Sequence, residues 1–288
     1  MAGSITTPEA GRSDRMLLLA PMLMFFGAFF LAPLLLLVVV SFTNDQEMTI
    51  LGTAQYEKFL SDPFNWRVLS ETILLGVKVV ACTTVLAFPI AILFVQAGPR
   101  LRRFLLMLIL LPLLTSVVVR TFAWIVILAR EGVVNSVLLS LGIIGAPLQL
   151  LHTELGLIIA LMQIELPLML LPLVSVLSRL DPNLIAASQA LGAGSWRTLR
   201  RVILPLSLPG YAAGVLLVFA SATAAFVSQS VIGGGRLIYM PVFVYQQATT
   251  LFNWPFAAAI SVILVVAISM VALGVNHLGR TARGNIHG

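Results

Sequence analysis

The sequence predicts an all-α integral membrane fold: six transmembrane helices, both termini cytoplasmic, and a polar loop between the fourth and fifth crossings. Three observations carry this expectation. Hydrophobic residues make up 59% of the 288 and charged residues only 10%, whereas a soluble domain keeps about a quarter of its residues charged. Six apolar runs reach the ~20 residues needed to cross a hydrocarbon core about 30 Å thick. The basic residues between those runs are also unevenly divided between the two sides.

The runs are Met16–Phe42, Val68–Ala97, Phe104–Leu128, Leu155–Ser178, Gly210–Ile232 and Phe256–Asn276. The first is too long for a signal-peptide core and has no small-residue cleavage site behind it, so it reads as a retained helix. Pro33, Pro89, Pro112, Pro167 and Pro172 fall inside runs; membrane helices tolerate them when neighbours satisfy the freed carbonyls. Eleven basic residues lie on one side: Arg12, Arg15, Arg100, Arg102, Arg103, Arg179, Arg197, Arg200, Arg201, Arg280 and Arg283. Four (Lys58, Arg67, Arg130 and Arg236) lie on the other. The richer side is cytoplasmic. Residues 1–15 and 279–288 then form short cytoplasmic tails around one membrane domain, 16–278, and residues 179–209 face the same compartment. The net charge of +6 reports topology rather than a nucleic-acid partner, because most of it sits beside membrane spans. The chain would lie, multi-pass, in a membrane.

The outer loops read as ordered. Residues 43–67 suit an amphipathic segment on the outer surface, and VVNSVLLSLGIIG within 129–154 suits an interfacial or re-entrant helix. The 179–209 island has the build of two short helices. Asp181 can cap the first, with Pro182 at its first position. Gly192 and Gly194 supply a turn, and Ser195 can cap a second helix that Pro205 stops.

Signals of catalysis are missing. No phosphate-binding G-x-x-x-x-G-K-[ST] loop occurs, and Gly233-Gly234-Gly235 is followed by Arg236 on the outer side. His152, His277 and His287 do not cluster with carboxylates, and Cys82 is the single cysteine. No metal or cofactor is expected on this chain, and its energy source is expected to be a separate protein. Three ionisable residues fall within runs: Lys78, Arg120 and Glu165. Such residues usually face a bundle interior or a water-filled path. Lys78 could instead snorkel. Arg120 could pair with Glu165 or cap loop carbonyls. Glu165, near mid-span before Pro167, is the sharpest pathway candidate. Trp124, Phe226, Tyr239, Tyr245 and Trp254 sit near the outer mouth, where ring faces could bind an organic cation or simply form an interfacial belt. The small residues of 220–226 suit close helix packing.

Within the island, Ala187, Leu191, Gly192 and the later Val202-Ile203-Leu204-Pro205 resemble the EAA loop of permease subunits in binding-protein-dependent ABC importers. The family's opening Glu-Ala-Ala falls on Ala186-Ala187-Ser188, so its acidic residue is absent here, and Val202 stands where isoleucine is usual. Arg120-Thr121-Phe122-Ala123-Trp124, Gly233-Gly234-Gly235-Arg236 and Asn253-Trp254-Pro255-Phe256 look like permeases of spermidine/putrescine-type importers, a resemblance running from Met16 onward. It implies a type I importer fold in which Ala186, Ala187, Ser188, Leu191, Gly192, Ala193, Ser195, Leu204 and Pro205 form a coupling helix against an ATPase. It also implies two ATP-binding subunits that use ATP and Mg, a second homologous permease, and a periplasmic solute-binding protein. Polyamine is the first expected solute and an aminophosphonate or other organic ion the second. An ion-driven secondary transporter and a non-transporting membrane scaffold are the rival classes.

Overall fold

A computed structural model describes residues 21–284, with side chains to Val275; the N-terminal tail, Arg12, Arg15 and residues 285–288 lie outside the described residues. Those described are predominantly helical, with one isolated antiparallel bridge, Thr43 to Leu51. Among the described residues six helical stretches are long and apolar enough to cross a membrane, the third being Val117–Ser140, which runs past the turn before Val133, rather than the expected Phe104–Leu128.

Helix α1, Pro21–Ser41, lies along the last helix and leaves most of its apolar surface exposed. It ends where the Ser41 hydroxyl bonds the Val38 carbonyl and the Tyr56 hydroxyl. A tight turn follows, clasped by Asp45: its carboxylate accepts from the Thr49 amide and hydroxyl and from the Ile50 amide, at 2.6–3.1 Å. The Thr49 hydroxyl first, and then the Ile50 amide, lower the Asp45 carboxyl to about 2. Helix α2, Ala54–Ser61, is the amphipathic segment expected in 43–67, burying Gln55 and Phe59.

Helix α3, Pro63–Gln96, starts at an Asp62 cap that accepts from the Phe64 amide at 2.9 Å, with Pro63 at its first position. At 34 residues it is about 50 Å long and reaches beyond the hydrocarbon on at least one side. Helix α4, Pro99–Leu114, and helix α5, Val117–Leu128, replace the single third span expected from Phe104 to Leu128. Pro112 cannot donate into the helix. The Thr115 amide and hydroxyl both turn back onto the Pro112 carbonyl, and Thr115 and Ser116 adopt extended backbone. Helix α6, Val133–Ser140, is the short outer helix expected there; buried Asn135 ties it to the loop through the Ala129 carbonyl and both backbone groups of Leu148.

Helix α7, Glu154–Leu177, is capped by Thr153 and is the most buried span. It packs between α3 and α9, Ser195–Thr223. The α7–α9 contact is close because α9 carries glycines there. A Cβ on Gly210 would meet the Pro172 carbonyl oxygen at 2.6 Å, and one on Gly214 would meet Met169 Sδ at 2.6 Å. Between them, α3, α7 and α9 hold most of the apolar core.

The fifth span departs from expectation at both ends. Proline at 205 does not stop a short helix: the chain widens into a π-helical turn at Leu199–Ile203 and continues as one helix to Thr223. The Leu204 amide bonds the Leu199 carbonyl, five residues back, so the helix passes through Pro205 without ending. Nor does Ser195 cap it, since Gly194 occupies that position without a side-chain bond. At the far end, the run expected to reach Ile232 breaks at Ala224–Ala225 and resumes as α10, Phe226–Gly233. Helix α11, Met240–Tyr245, extends through a π-helical turn to Thr250, and α12, Trp254–Gly284, closes the bundle against α1 and α9.

Replacing Gly214 by Val is expected to force α7 and α9 apart and lower stability by about 1–3 kcal/mol, read as a drop in thermal midpoint of the detergent-solubilised protein. The Asp45 clasp has its own signature. Its carboxyl titrates at about 2 when folded against 3.8 when free, so its stabilisation is complete above 3.8 and lost as pH falls through about 2. Asp45→Asn is expected to accelerate hydrogen exchange at Thr49 and Ile50 at neutral pH, and to remove its acid dependence.

Candidate functional site

Two interruptions in the spans, Thr115–Ser116 and Ala224–Ala225, border one cavity of about 440 Å³. Its walls include Leu113, Arg120, Glu165, Leu168, Ser221 and Phe226. Irregular backbone survives inside a bilayer only where protein or a wet cavity satisfies it, and here side chains do so. Buried Gln229 of α10 donates to the Ala222 and Thr223 carbonyls at 3.0 and 3.3 Å and so bridges the break, while its own Oε1 is buried without a partner. The Thr121 and Ser228 hydroxyls meet at 3.1 Å and link α5 to α10, the two half-helices beyond the breaks.

Glu165 stands halfway along α7 and is 4% exposed. Ser221 of α9 and Arg120 of α5 are the polar neighbours of its carboxyl. Arg120 does not form the ion pair considered from sequence. Its Nη1 makes a long 3.4 Å bond to the Ile164 carbonyl, and its Nε is buried without a partner. Among the described residues, the ion pairs within 4.0 Å are Arg67–Glu71 and Lys78–Glu154. Lys78 thus lies apart from the cavity, 2.6 Å from a carboxylate at the mouth of α7. The aromatic candidates also separate. Phe226 lines the cavity and stacks obliquely on Tyr245 at 4.9 Å. Trp124 donates to Gln163 at 3.1 Å, Tyr239 is 3% exposed within the core, and Trp254 is exposed. Ser221, Ser228 and Gln229 went unnoticed in the sequence as individual polar groups. The small residues of 220–226 predict close helix packing, and the polar groups within and just after them are the signal for a cavity wall there.

The island forms a compact hairpin. Helix α8, Pro182–Ala190, begins at an Asp181 cap that accepts from the Asn183 amide at 2.9 Å. It ends in a two-bond C-terminal motif: Gly192 N–H to Gln189 O at 2.9 Å, and Ala193 N–H to Ser188 O at 3.1 Å. This requires the left-handed backbone of Gly192, at φ +78°. The Ser188 and Thr198 hydroxyls meet at 3.0 Å and join α8 to the start of α9. A groove of about 580 Å³ between the two is lined by Ala187, Ser188, Leu191, Ala193 and Pro205, along with Arg197 and Arg201. Ala186, Gly192, Ser195 and Leu204 lie in the hairpin but outside that groove. Leu191 and Trp196 project at 87% and 72% exposure.

Residues 83–282 match the family described as binding-protein-dependent transport system inner membrane component. The chain belongs to that family. It is therefore the membrane-embedded permease subunit of an ABC importer, seated in the inner membrane. It is 33% identical to the spermidine/putrescine transport system permease protein PotB of Haemophilus influenzae, over 84% of this chain and 86% of that one. It is 31% identical to the inner membrane ABC transporter permease protein YdcU of Escherichia coli, over 92% and 89% of the two chains. In fold, the permease is similar to a chain of a bacterial ABC transporter involved in import of the acidic polysaccharide alginate: TM-score 0.73, 17% identity, 94% and 96% coverage.

Because Gln229 satisfies two carbonyls at the α9 break, Gln229→Leu is expected to cost about 1–3 kcal/mol. Thermal unfolding of the purified permease in detergent measures that loss.

Proposed function

We propose that this permease passes a polyamine, of the spermidine/putrescine kind, from a periplasmic binding protein into the cytoplasm by alternating access. The observation that carries the reading is Glu165, a carboxylate buried at mid-span on the wall of a cavity bounded by two broken helices. A buried acid is the group a passing ammonium needs, and Phe226 offers a ring face beside it. The similarity to PotB over most of the chain supports the same solute class. Ser221 is assigned a supporting polar contact, while Lys78, Trp124 and Tyr239 are assigned to the frame around the path.

The energy comes from two ATP-binding subunits that use ATP and Mg, and a second homologous permease completes the channel. The hairpin of α8 and the first turns of α9 faces the cytoplasm, as do both termini, and it seats in a groove of an ATP-binding subunit. The ATPases closing on ATP pull the hairpin inward. Because α9 runs unbroken from Ser195 to Thr223, that displacement reaches Ser221 and the Ala224 break at the cavity wall. Hydrolysis and phosphate release reset the hairpin. A second reading, import of a small organic ion such as an aminophosphonate, is favoured by Arg120 in the same cavity. A proton- or sodium-driven mechanism is distinguished by uptake that survives ATP depletion.

The test is proteoliposomes rebuilt with binding protein, both permeases and both ATP-binding subunits. ATP-dependent uptake of radiolabelled spermidine or putrescine is expected; uptake of an aminophosphonate alone selects the second reading. In that system Gly192→Asp, which puts a side chain on left-handed backbone, is expected to abolish solute-stimulated ATPase activity while the complex still assembles. Ala186→Glu, which restores the family's acid, is expected to retain or tighten ATPase association, read by co-purification.

A further inference from the structure

The polyamine reading leaves one charge without a role: a cation transporter keeps a guanidinium in its own cavity. Arg120 is the single basic group, and Glu165 the single acidic one, among the residues lining that space. The arginine is not locked in place. It has one 3.4 Å bond to a backbone carbonyl, no carboxylate within ion-pair distance, and an Nε that is buried and unpartnered. A structural arginine in a membrane normally satisfies most of its donors on carboxylates or carbonyls.

We propose that Arg120 is a resident counter-ion: it balances Glu165 while the cavity is empty, and competes with the solute's ammonium for that carboxylate during passage. The proposal rests on the polyamine reading above and assigns to Arg120 the looseness of the site. With no solute, one positive and one negative group leave this wall neutral, which a low-dielectric setting demands of a buried acid. An arriving ammonium makes the wall net positive, because the guanidinium cannot lose its proton. The solute therefore binds Glu165 against a like charge and leaves readily when the cavity turns. Transport needs this balance, since a site must attract its solute without retaining it. The long bond to the Ile164 carbonyl already holds the guanidinium on the same wall but off the carboxylate, so it balances the acid's charge from a short distance and leaves the carboxylate's acceptors open to the ammonium.

The experiment is spermidine uptake at graded concentrations in the complete reconstituted transporter, comparing wild type, Arg120→Gln, Arg120→Lys and Glu165→Gln. Loss of the competing cation in Arg120→Gln is expected to lower KM by about tenfold, the smallest effect typical of a close charge on a partly buried carboxylate, and to lower kcat with it. Arg120→Lys is expected to keep KM near wild type, and Glu165→Gln to raise it. A KM unchanged or raised in folded, assembled Arg120→Gln overturns the proposal and makes Arg120 a structural cap or an anion ligand. A wild-type transporter that assembles and imports an aminophosphonate but no polyamine refutes the underlying reading instead, and the counter-ion role falls with it.

Discussion

The constraint on which this structure depends is that no water reaches the hydrocarbon core to satisfy a freed backbone group. Each interruption of a span must be answered by the protein itself. The break at Thr115–Ser116 is answered by the amide and hydroxyl of Thr115 returning to the Pro112 carbonyl. The break at Ala224–Ala225 is answered by Gln229 reaching back to Ala222 and Thr223. The half-helices beyond the two breaks are joined by Thr121 and Ser228. The cavity is the space these devices hold open, and Arg120 and Glu165 line it because α5 and α7 present them there.

The same economy links the distant hairpin to the cavity. Had the chain stopped at Pro205, the island would be a separate pair of helices on flexible joints. The π-helical turn at Leu199–Ile203 instead lets one rod run from Ser195 to Thr223. Gly210 and Gly214 press that rod against α7, the helix carrying Glu165. In the proposed mechanism this contact carries a push on the hairpin towards the cavity wall, and the π-helical turn, Pro205 and Pro209 are the points at which the rod can bend. The hairpin gains internal rigidity from its Asp181 cap, its Gly192 turn and the Ser188–Thr198 bond.

Much of this was legible in the sequence. Length and hydropathy mark the spans, Asp181-Pro182 marks the start of α8, and Gly192 its left-handed end, because caps and turns depend on residues a few positions apart. The loop motif and the flanking aromatic segments pointed to the importer family that residues 83–282 match. The failures share a cause. Phe104–Leu128 is expected as one span and Pro205 as a stop, whereas the chain stays helical through Pro112 and parts only at Thr115–Ser116, and it continues through Pro205. Proline removes one donor in either case; neighbours three to five residues back and side chains from other helices decide whether the helix survives.

Composition, apolar run length and short-range capping, which act within about one or two helical turns, thus determined the all-helical membrane class, the number of crossings, and the first helix and turn of the island. Tertiary structure decided which charges meet. Lys78 found Glu154 rather than the cavity, and Arg120 took the Ile164 carbonyl rather than Glu165. Those choices depend on the depth and rotation of packed helices, set by close contacts such as Gly214 on Met169, and no local pattern along the chain encodes them.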